Sequence, residues 1–466
     1  MSAPVDTLGA AETAAAVRSG ALSARDAVVA CLARIAALDP RLNAFTSVYA
    51  TRAIARAEAI DARRARGETL GPLAGAPFAV KNLFDIEGSP TLAGSKINRE
   101  RTPASSDATL VQRLEAADAV LVGALNMGEY AYDFTGENQH YGASRNPHDP
   151  EHMSGGSSGG SGTAVAAGMV PLALSSDTNG SIRVPSSFCG LFGLKPTYGR
   201  LSRAGTFPFV ASLDHLGPMA RSTADLALAY DAMQGADARD HAQARRPAEP
   251  VFAELDKGIA SLRVARAGGY FASGGHPDCF AAVAHVARAL GASKEVEIPE
   301  ARRARAAAYL ITMAEGAALH AERLAARAGD FDIETRDRLI AGTMVPGHWV
   351  ARAQKFRLWY RDAVAKLFEE VDIVLAPATP TRAPRLGQKT MVLDGVEMSA
   401  RANIGIFTQP ISFIGLPVVA APVWTGGERL PIGVQIIAAP WREDLALRVA
   451  RQLERDGIVA APVAAM

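Results

Sequence analysis

The sequence predicts an α/β fold, with one large mixed α/β domain. Hydrophobic residues make up 48% and charged residues 21% of the 466 residues, a composition typical of a globular chain with a large core. Short apolar runs alternate with helical patterns along the chain, as in sheets whose strands are joined by helices. Three late runs, VDIVLAPAT, LPVVAAPV and IGVQIIAA, are almost wholly apolar and favour buried strands.

The first predicted elements are helices. In SARDAVVACLARIAALDP, apolar residues recur at helical spacing, Ser23 is placed to cap the helix, and Pro40 is expected to end it. A second helix is predicted over roughly residues 51–66, before Gly67, and a third through DATLVQRLEAADA.

Strands follow these helices. Residues 77–80 are apolar and bounded by turn formers, which predicts a strand with Lys81 at its end, where sites form in α/β folds. AVLVGALN and PLALSS predict two more strands, with a helix near residues 163–168 between them. Later in the chain, AGGYF is expected to begin a strand, and helices are predicted over roughly residues 299–329 and 349–370.

The near-zero net charge favours a small-molecule substrate. Lys and Arg total 49 against 48 for Asp and Glu, so the net charge of +1 gives no overall attraction to nucleic acid or an anionic membrane. The longest uncharged stretch is rich in glycine and serine, so no membrane span is expected.

Three cysteines without metal-like spacing indicate a reducing compartment, and acidic residues near the start argue against a signal peptide. We therefore expect a cytoplasmic protein.

The stretch MSGGSSGGSG, residues 153–162, has the composition of a flexible linker. The strand and helix alternation continues on both sides of it, which argues against a linker.

Phosphate-loop, HExxH and GxGxxG patterns are absent from the sequence. Residues 156–160 match GxSxG with Ser158 at the centre, but a nucleophile elbow requires a strand directly before it, and HDPEHM does not predict one.

Lys81, a serine of GGSSGG and Ser181 offer another kind of site. A serine hydroxyl becomes a good nucleophile when a base takes its proton, and a lysine serves as that base when burial keeps its amine neutral. Apolar residues surround Lys81 in the sequence, whereas a pair with Asp85 on a surface turn is the alternative. The segment DTNGS could direct several backbone N–H groups at one oxyanion, or it could form an ordinary Asn-Gly turn.

At these residues the chain resembles the amidase signature family. GGSSGGSG followed by SSDTNGSIRVPSSFCGLFGLKPTYGRLS carries the resemblance, which extends upstream through LAGAPFAVKNLF and downstream through LPIGVQIIAAPW. It implies one α/β/α domain around a large mixed sheet over residues 1–466, with a catalytic core at about 70–220. Residues 235–250 are expected to form a surface loop.

The resemblance also implies a Ser-cisSer-Lys triad. Lys81 matches the base, Ser157 the bridging serine and Ser181 the nucleophile that becomes acylated, with a cis peptide bond at Gly156-Ser157. The family needs neither a cofactor nor a metal. The backbone amides that match its oxyanion hole are those of Thr178, Asn179, Gly180 and Ser181.

Two side chains near the nucleophile are candidate substrate ligands. Many family members have glycine where this chain has Asn179, so an amide group there points to a small polar substrate. Arg183 could bind a carboxylate, or it could form a structural pair with an acid such as Asp177.

Within the family, TLAGSKINR, NPHDP and DTNGSIRVPSS resemble the 1-carboxybiuret hydrolase branch. That branch hydrolyses a small carboxylated ureide with release of ammonia and works with a small helical partner subunit. The rival hypotheses are the glutaminase component of the aspartyl/glutamyl-tRNA amidotransferase, a broader small-amide or oxamate amidase, and a catalytically silent scaffold. Assembly into a homo-oligomer is compatible with each of them.

Overall fold

The computed structural model describes residues 7–425 and 427–466. Residues 1–6 belong to the N-terminal stretch considered above for a targeting signal and lie outside the described residues. Of the helices described, none is long and apolar enough to cross a membrane.

The strands are β1 Phe45–Val48, β2 Pro77–Lys81, β3 Val120–Leu125, β4 Leu172–Asp177, β5 Phe192–Lys195, β6 His215–Ala220, β7 Val264–Ala267, β8 Lys294–Val296, β9 Ile373–Pro377, β10 Thr390–Leu393, β11 Val396–Ser399, β12 Val418–Val423 and β13 Ile432–Ala438. The α-helices are α1 Ala10–Ser19, α2 Ala24–Leu42, α3 Ala50–Ala65, α4 Thr109–Ala116, α5 Gly159–Ala166, α6 Arg183–Cys189, α7 Thr223–Met233, α8 Pro277–Ala289, α9 Ala301–Arg327, α10 Ile333–Thr343, α11 Gly347–Glu370, α12 Ala400–Asn403, α13 Gln409–Ser412 and α14 Glu443–Arg455. Short 3-10 helices span Ile97–Glu100, Glu129–Ala131, Phe252–Glu254, Gly269–Ala272 and Ala328–Asp330.

Eleven strands form one mixed sheet in the order β1-β3-β2-β4-β6-β5-β12-β13-β9-β7-β8. β2 is parallel to both of its neighbours, with Ala79 opposite Gly123 on β3 and Ala173 on β4. The strands from β4 through β6, β5, β12 and β13 to β9 pair antiparallel. Strands β10 and β11 form a separate hairpin. The α/β class and the large mixed sheet are therefore confirmed.

Helices cover both faces of the sheet around β2. Side chains of a strand point alternately to its two faces. On β2, Phe78 and Val80 join one hydrophobic cluster, with residues of α4, α7 and α14. Ala79 between them joins a second cluster, with residues of α2, α3 and α5. The end of β2 is thus enclosed from both sides, which prepares a buried position for Lys81.

Most of the predicted elements near the site are present, with shifts at their ends. Ser23 caps α2 by accepting from the backbone N–H of Asp26 (2.9 Å). The prediction that Pro40 ends this helix is wrong, because a proline in the last turn loses only one backbone donor and Asn43 closes the helix in a left-handed conformation (φ 55°). Helix α5 begins at Gly159, inside the glycine stretch, earlier than expected.

Three differences lie farther along the chain. The strand expected to begin at AGGYF instead ends there, at Ala267, and a 3-10 helix follows. Helix α10 and the β10–β11 hairpin were not predicted from the sequence. Residues 235–250, all of them described, contain turns but neither helix nor strand.

Candidate active site

Lys81 is the last residue of β2, and its side chain is fully buried. Its Nζ donates to Ser157 Oγ (2.6 Å) and to Ser176 Oγ (3.0 Å). Burial lowers the pKa of Lys81 to about 7, although nearby carboxylates oppose the shift. The alternative of a surface pair with Asp85 is not present, since Asp85 accepts from Thr91 Oγ1 instead. Near neutral pH this amine is therefore able to act as a base.

Ser157 lies in the glycine and serine stretch, which is buried over its whole length, residues 153–162. The peptide bond Gly156-Ser157 is cis, as predicted. A Cβ atom at Gly156 would lie 2.2 Å from Asp133 Oδ2, so the close approach of that loop requires glycine. The stretch is a packed wall of the site, and the linker interpretation is wrong.

Ser158 does not occupy a nucleophile elbow. No strand precedes it within residues 154–157, which the structure describes, and its Oγ donates to the backbone carbonyl of Ser176 (3.3 Å). The hydroxyl therefore packs against β4 as a structural group.

Residues 178–181 form a turn between β4 and α6. Gly180 has φ 148°, and a Cβ atom there would lie 2.3 Å from Thr408 Oγ1, so this position requires glycine. Thr408 Oγ1 donates to the carbonyl of Asn179 (2.6 Å) and holds the turn. Within the described part of the chain, the backbone N–H groups of Asn179, Gly180 and Ser181 have no acceptor. Three donors beside a serine hydroxyl are suited to stabilise an oxyanion.

Arg183 is fully buried and forms an internal ion pair with Asp177. All five of its N–H groups have acceptors: both oxygens of Asp177 (2.9 Å each), the carbonyl of Thr408 (3.1 Å), Gln435 Oε1 (2.7 Å) and Ser412 Oγ. Of the two roles left open by the sequence, the structural pair is the one observed. The guanidinium has no N–H left to donate to a substrate carboxylate.

A small cavity lies beside the 178–181 turn. Of the residues described, Ser181 and Asn179 line it, whereas Lys81 and Ser157 do not. Its other lining residues are Ala131, Tyr132, Asp133, Phe134, Thr178, Phe209, Tyr309, Thr312, Arg338, Arg401, Ala402 and Gln409. A second cavity shares the walls formed by Ala131, Thr178 and Phe209 and reaches Ser176.

Two arginines and the carboxylate of Asp133 line the first cavity. Arg401 Nη1 lies 2.7 Å from Asp133 Oδ1. The carboxylates of Glu137 and Glu334 also lie within 4 Å of the Arg401 guanidinium. Arg338 packs over the ring of Tyr132 (3.9 Å) and donates to backbone carbonyls. Among the residues described, no carboxylate lies within 4.0 Å of the Arg338 guanidinium. Burial lowers the pKa of Arg338, so this cation gains from an anionic ligand.

Sequence reasoning missed Ser176, Arg338 and Arg401. Ser176 stands beside Asp177 at the end of β4, so the rule that sites form at strand ends could have found it. The arginines come from α10 and α12, elements far along the chain from the nucleophile, and no local motif marks them. No group of three or more His, Cys, Asp or Glu residues in the described ranges could hold a metal ion.

Comparison with known proteins gives a consistent result. The amidase family matches residues 26–447. AtzE, which is one subunit of the 1-carboxybiuret hydrolase of Pseudomonas sp. (strain ADP), is 56% identical over 95% of this chain and 97% of that protein. The A component of the glutamyl-tRNA(Gln) amidotransferase of Anaeromyxobacter sp. (strain K) is 39% identical over 98% of this chain and 97% of that protein.

A solved structure described as a vestigial protein complex that reveals the origins of an s-triazine catabolic enzyme superposes with a TM-score of 0.97. The two chains are 55% identical, and the match covers 97% of this chain and 100% of the other. Both the family match and these identities extend over nearly the whole sequence. The chain therefore belongs to the amidase signature family and is an amide-hydrolysing enzyme.

Proposed function

We propose that the chain hydrolyses the terminal C–N bond of a small carboxylated ureide of the 1-carboxybiuret type and releases ammonia. The observation that carries the catalytic part is the hydrogen bond between Lys81 Nζ and Ser157 Oγ (2.6 Å), and these two residues and Ser181 are all buried. The substrate class is supported by Arg338 in the adjoining cavity and by the 56% identity to the AtzE protein of a 1-carboxybiuret hydrolase.

In the proposed reaction, neutral Lys81 takes the proton of Ser157 while Ser157 takes that of Ser181. Ser181 Oγ attacks the amide carbon, and the N–H groups of residues 178–181 hold the oxyanion. The proton returns through Ser157 to the leaving nitrogen, the C–N bond breaks and ammonia departs. Water then attacks the acyl-enzyme with the same base, which releases the acid and restores Ser181.

Burial prepares the base of this relay. An exposed lysine has a pKa near 10.4 and is almost wholly protonated at neutral pH. Because burial lowers the pKa of Lys81 to about 7, about half of the molecules hold a neutral amine at that pH. Ser176 accepts a second hydrogen bond from Nζ (3.0 Å) and keeps the amine directed at the relay.

Arg338 is the proposed anchor of the substrate carboxylate. It lines the same cavity as Ser181 and has no carboxylate partner of its own among the described residues. Arg401, by contrast, is already paired with Asp133. An arginine fork suits a carboxylate because two parallel N–H groups meet two oxygens. The substrate would then present its amide to Ser181 and its acid group to α10.

We further propose that the enzyme works with a small helical partner protein in the cytoplasm. The Pseudomonas relative is named as one subunit of its enzyme, and the structural neighbour is described as a protein complex.

Cys31, Cys189 and Cys279 are free and buried, in keeping with a reducing compartment. One continuous sheet of eleven strands, drawn from β1 near the start of the chain to β13 near its end, supports one catalytic domain over residues 1–466.

The glutaminase component of a tRNA amidotransferase is the second candidate, favoured by the 39% identity to such proteins. Ammonia release distinguishes the two candidates. The purified enzyme and its Ser181→Ala variant are assayed with carboxybiuret generated in situ, biuret, oxamate, malonamate and glutamine. Release from the carboxylated ureide alone supports the proposal. Release from glutamine alone would assign the chain to the amidotransferase group, and equal activity of the Ser181→Ala variant would overturn the triad.

A further inference from the structure

We propose that the side chain of Asn179 selects ureides, that is, amides with an N–H group on the acyl side of the bond that is cleaved. The inference rests on the proposed function, since it concerns the same cavity and the same carboxylated substrates. In this proposal Asn179 Oδ1 accepts a hydrogen bond from a substrate N–H group. A methylene group in the same position has no hydrogen to donate.

The first observation is an unpaired acceptor. Asn179 is only 6% exposed, and its Oδ1 is buried without a hydrogen-bond partner in the described part of the protein. A buried acceptor that lacks a partner has lost its hydrogen bond to water and destabilises the site. A substrate N–H group that reaches Oδ1 restores a hydrogen bond, whereas a methylene group does not.

The second observation is that the amide is fixed in place. Its Nδ2 donates to Thr312 Oγ1 (2.9 Å), and Thr312 is a buried residue of α9. The backbone of Asn179 is held as well, because its carbonyl accepts from Thr408 Oγ1 (2.6 Å). With both ends held, Oδ1 keeps one direction, and a substrate gains its hydrogen bond without ordering a free side chain.

The third observation is the side of the nucleophile on which Asn179 lies. It shares a cavity with Ser181 and Arg338, while Lys81 and Ser157 are not among the described residues that line that cavity. With the carboxylate on Arg338, as proposed, and the attacked carbon at Ser181, the part of the substrate between them lies in the cavity that Asn179 lines.

Among the described residues that line the cavity, one other polar side chain, Tyr132, has a buried oxygen without a partner, and its hydroxyl can donate as well as accept. Arg338 and Arg401 only donate. Gln409 Oε1 accepts from an arginine of α9 (2.9 Å), and the Asp133 carboxylate accepts from Arg401 and from its own loop. Asn179 Oδ1 is thus the unpaired atom of this lining that can only accept, which suits it to a substrate N–H.

Binding to the Ser181→Ala variant tests this inference without turnover. N-carbamoylglycine and succinamate have the same length, the same terminal amide and the same carboxylate, and they differ only by N–H against CH2 next to the amide carbonyl. We expect N-carbamoylglycine to bind about tenfold more tightly in calorimetry, the value of one hydrogen bond to a buried acceptor. Asn179→Gly and Thr312→Val, each added to this variant, should bring the ratio of the two dissociation constants close to one.

Thr312→Ser is the matched control, because it keeps the hydroxyl that holds Asn179 and should keep the preference. If Asn179→Gly does not fold, as judged by circular dichroism, Thr312→Val carries the test. Equal binding of the two acids to Ser181→Ala, or an unchanged ratio in the Val variant, would overturn the role of Asn179 and leave the proposed function standing. Binding of neither acid would overturn the proposed recognition of carboxylated amides, and this inference with it.

Discussion

Ser158 and Ser181 are both candidate nucleophiles by sequence motif, and their structural surroundings show which of them is suited to that role. Ser181 lines a cavity, and the backbone N–H groups of residues 179–181 have no acceptor among the described residues, whereas Ser158 donates to the carbonyl of Ser176. We expect Ser181→Ala to lower kcat by at least about 10³-fold, as removal of a nucleophile does. Ser158→Ala should stay within about tenfold of the wild type. Ammonia release measures both, and the reverse order would restore the nucleophile-elbow interpretation.

The charge of Lys81 sets the expected pH dependence. Because burial lowers its pKa to about 7, acid protonates the base, and kcat/KM should fall about tenfold for each pH unit below 7. Above about pH 8 the profile should be level. A rate profile between pH 5 and 9 with a non-titrating amide measures this. Lys81→Arg, which keeps a fixed charge, is expected to be inactive throughout, and a level wild-type profile down to pH 5 would contradict the assignment.

Arg338 should act on binding more than on chemistry. Arg338→Met removes the proposed carboxylate anchor, and we expect KM for a carboxylated amide to rise about 10- to 100-fold with a smaller change in kcat. An uncharged amide of equal length is the control, and its KM should change little. Equal losses for both amides would show that Arg338 supports the cavity wall and does not bind the carboxylate.

At the scale of elements, α5 reaches the strand ends because its first turn is made of glycine. A Cβ atom at Gly160 would lie 2.4 Å from the carbonyl oxygen of Ala44 and 2.6 Å from the backbone N and O of Asn126. Since backbone atoms cannot move aside cheaply, Gly160→Ala should lower the free energy of unfolding by at least about 2 kcal/mol. Denaturant midpoints measure this. Gly347→Ala on α11, which meets nothing within 4 Å, is the control and should be neutral.

The sequence predicted the elements whose pattern is local. The capped helix α2, the apolar strand β2 with Lys81 at its end and the strands flanking the glycine stretch all follow from spacing and turn residues. The family resemblance added the expected roles of Ser157 and Ser181. The approach of Arg338 and Arg401 to the nucleophile depends on the packing of α10 and α12, which leaves no signal in a short window. The need for glycine at position 180 is likewise set by a distant residue, because Thr408 occupies the space that a Cβ atom there would need.

At the scale of the molecule, one buried ion pair connects both halves of the sheet. Asp177 ends β4, and Arg183 on α6 also donates to Gln435 of β13. Arg183→Met leaves the Asp177 carboxylate buried without its cation, so we expect a loss of about 3–5 kcal/mol in unfolding free energy. Thermal and urea unfolding measure it. Arg25→Met, at an exposed pair with Glu58, should change stability by less than about 1 kcal/mol, and equal effects of both changes would contradict the connecting role.

The burial of residues 153–162 has a consequence for anyone who edits this gene. By composition this segment is the natural place to insert a tag, split the chain or expect a protease to cut. Packed against β4 and the loop that carries Asp133, it is instead the segment where an insertion would separate Ser157 from Lys81. Within the loop 235–250, residues 245–248 are all exposed and are the better place for a fusion or a permuted terminus.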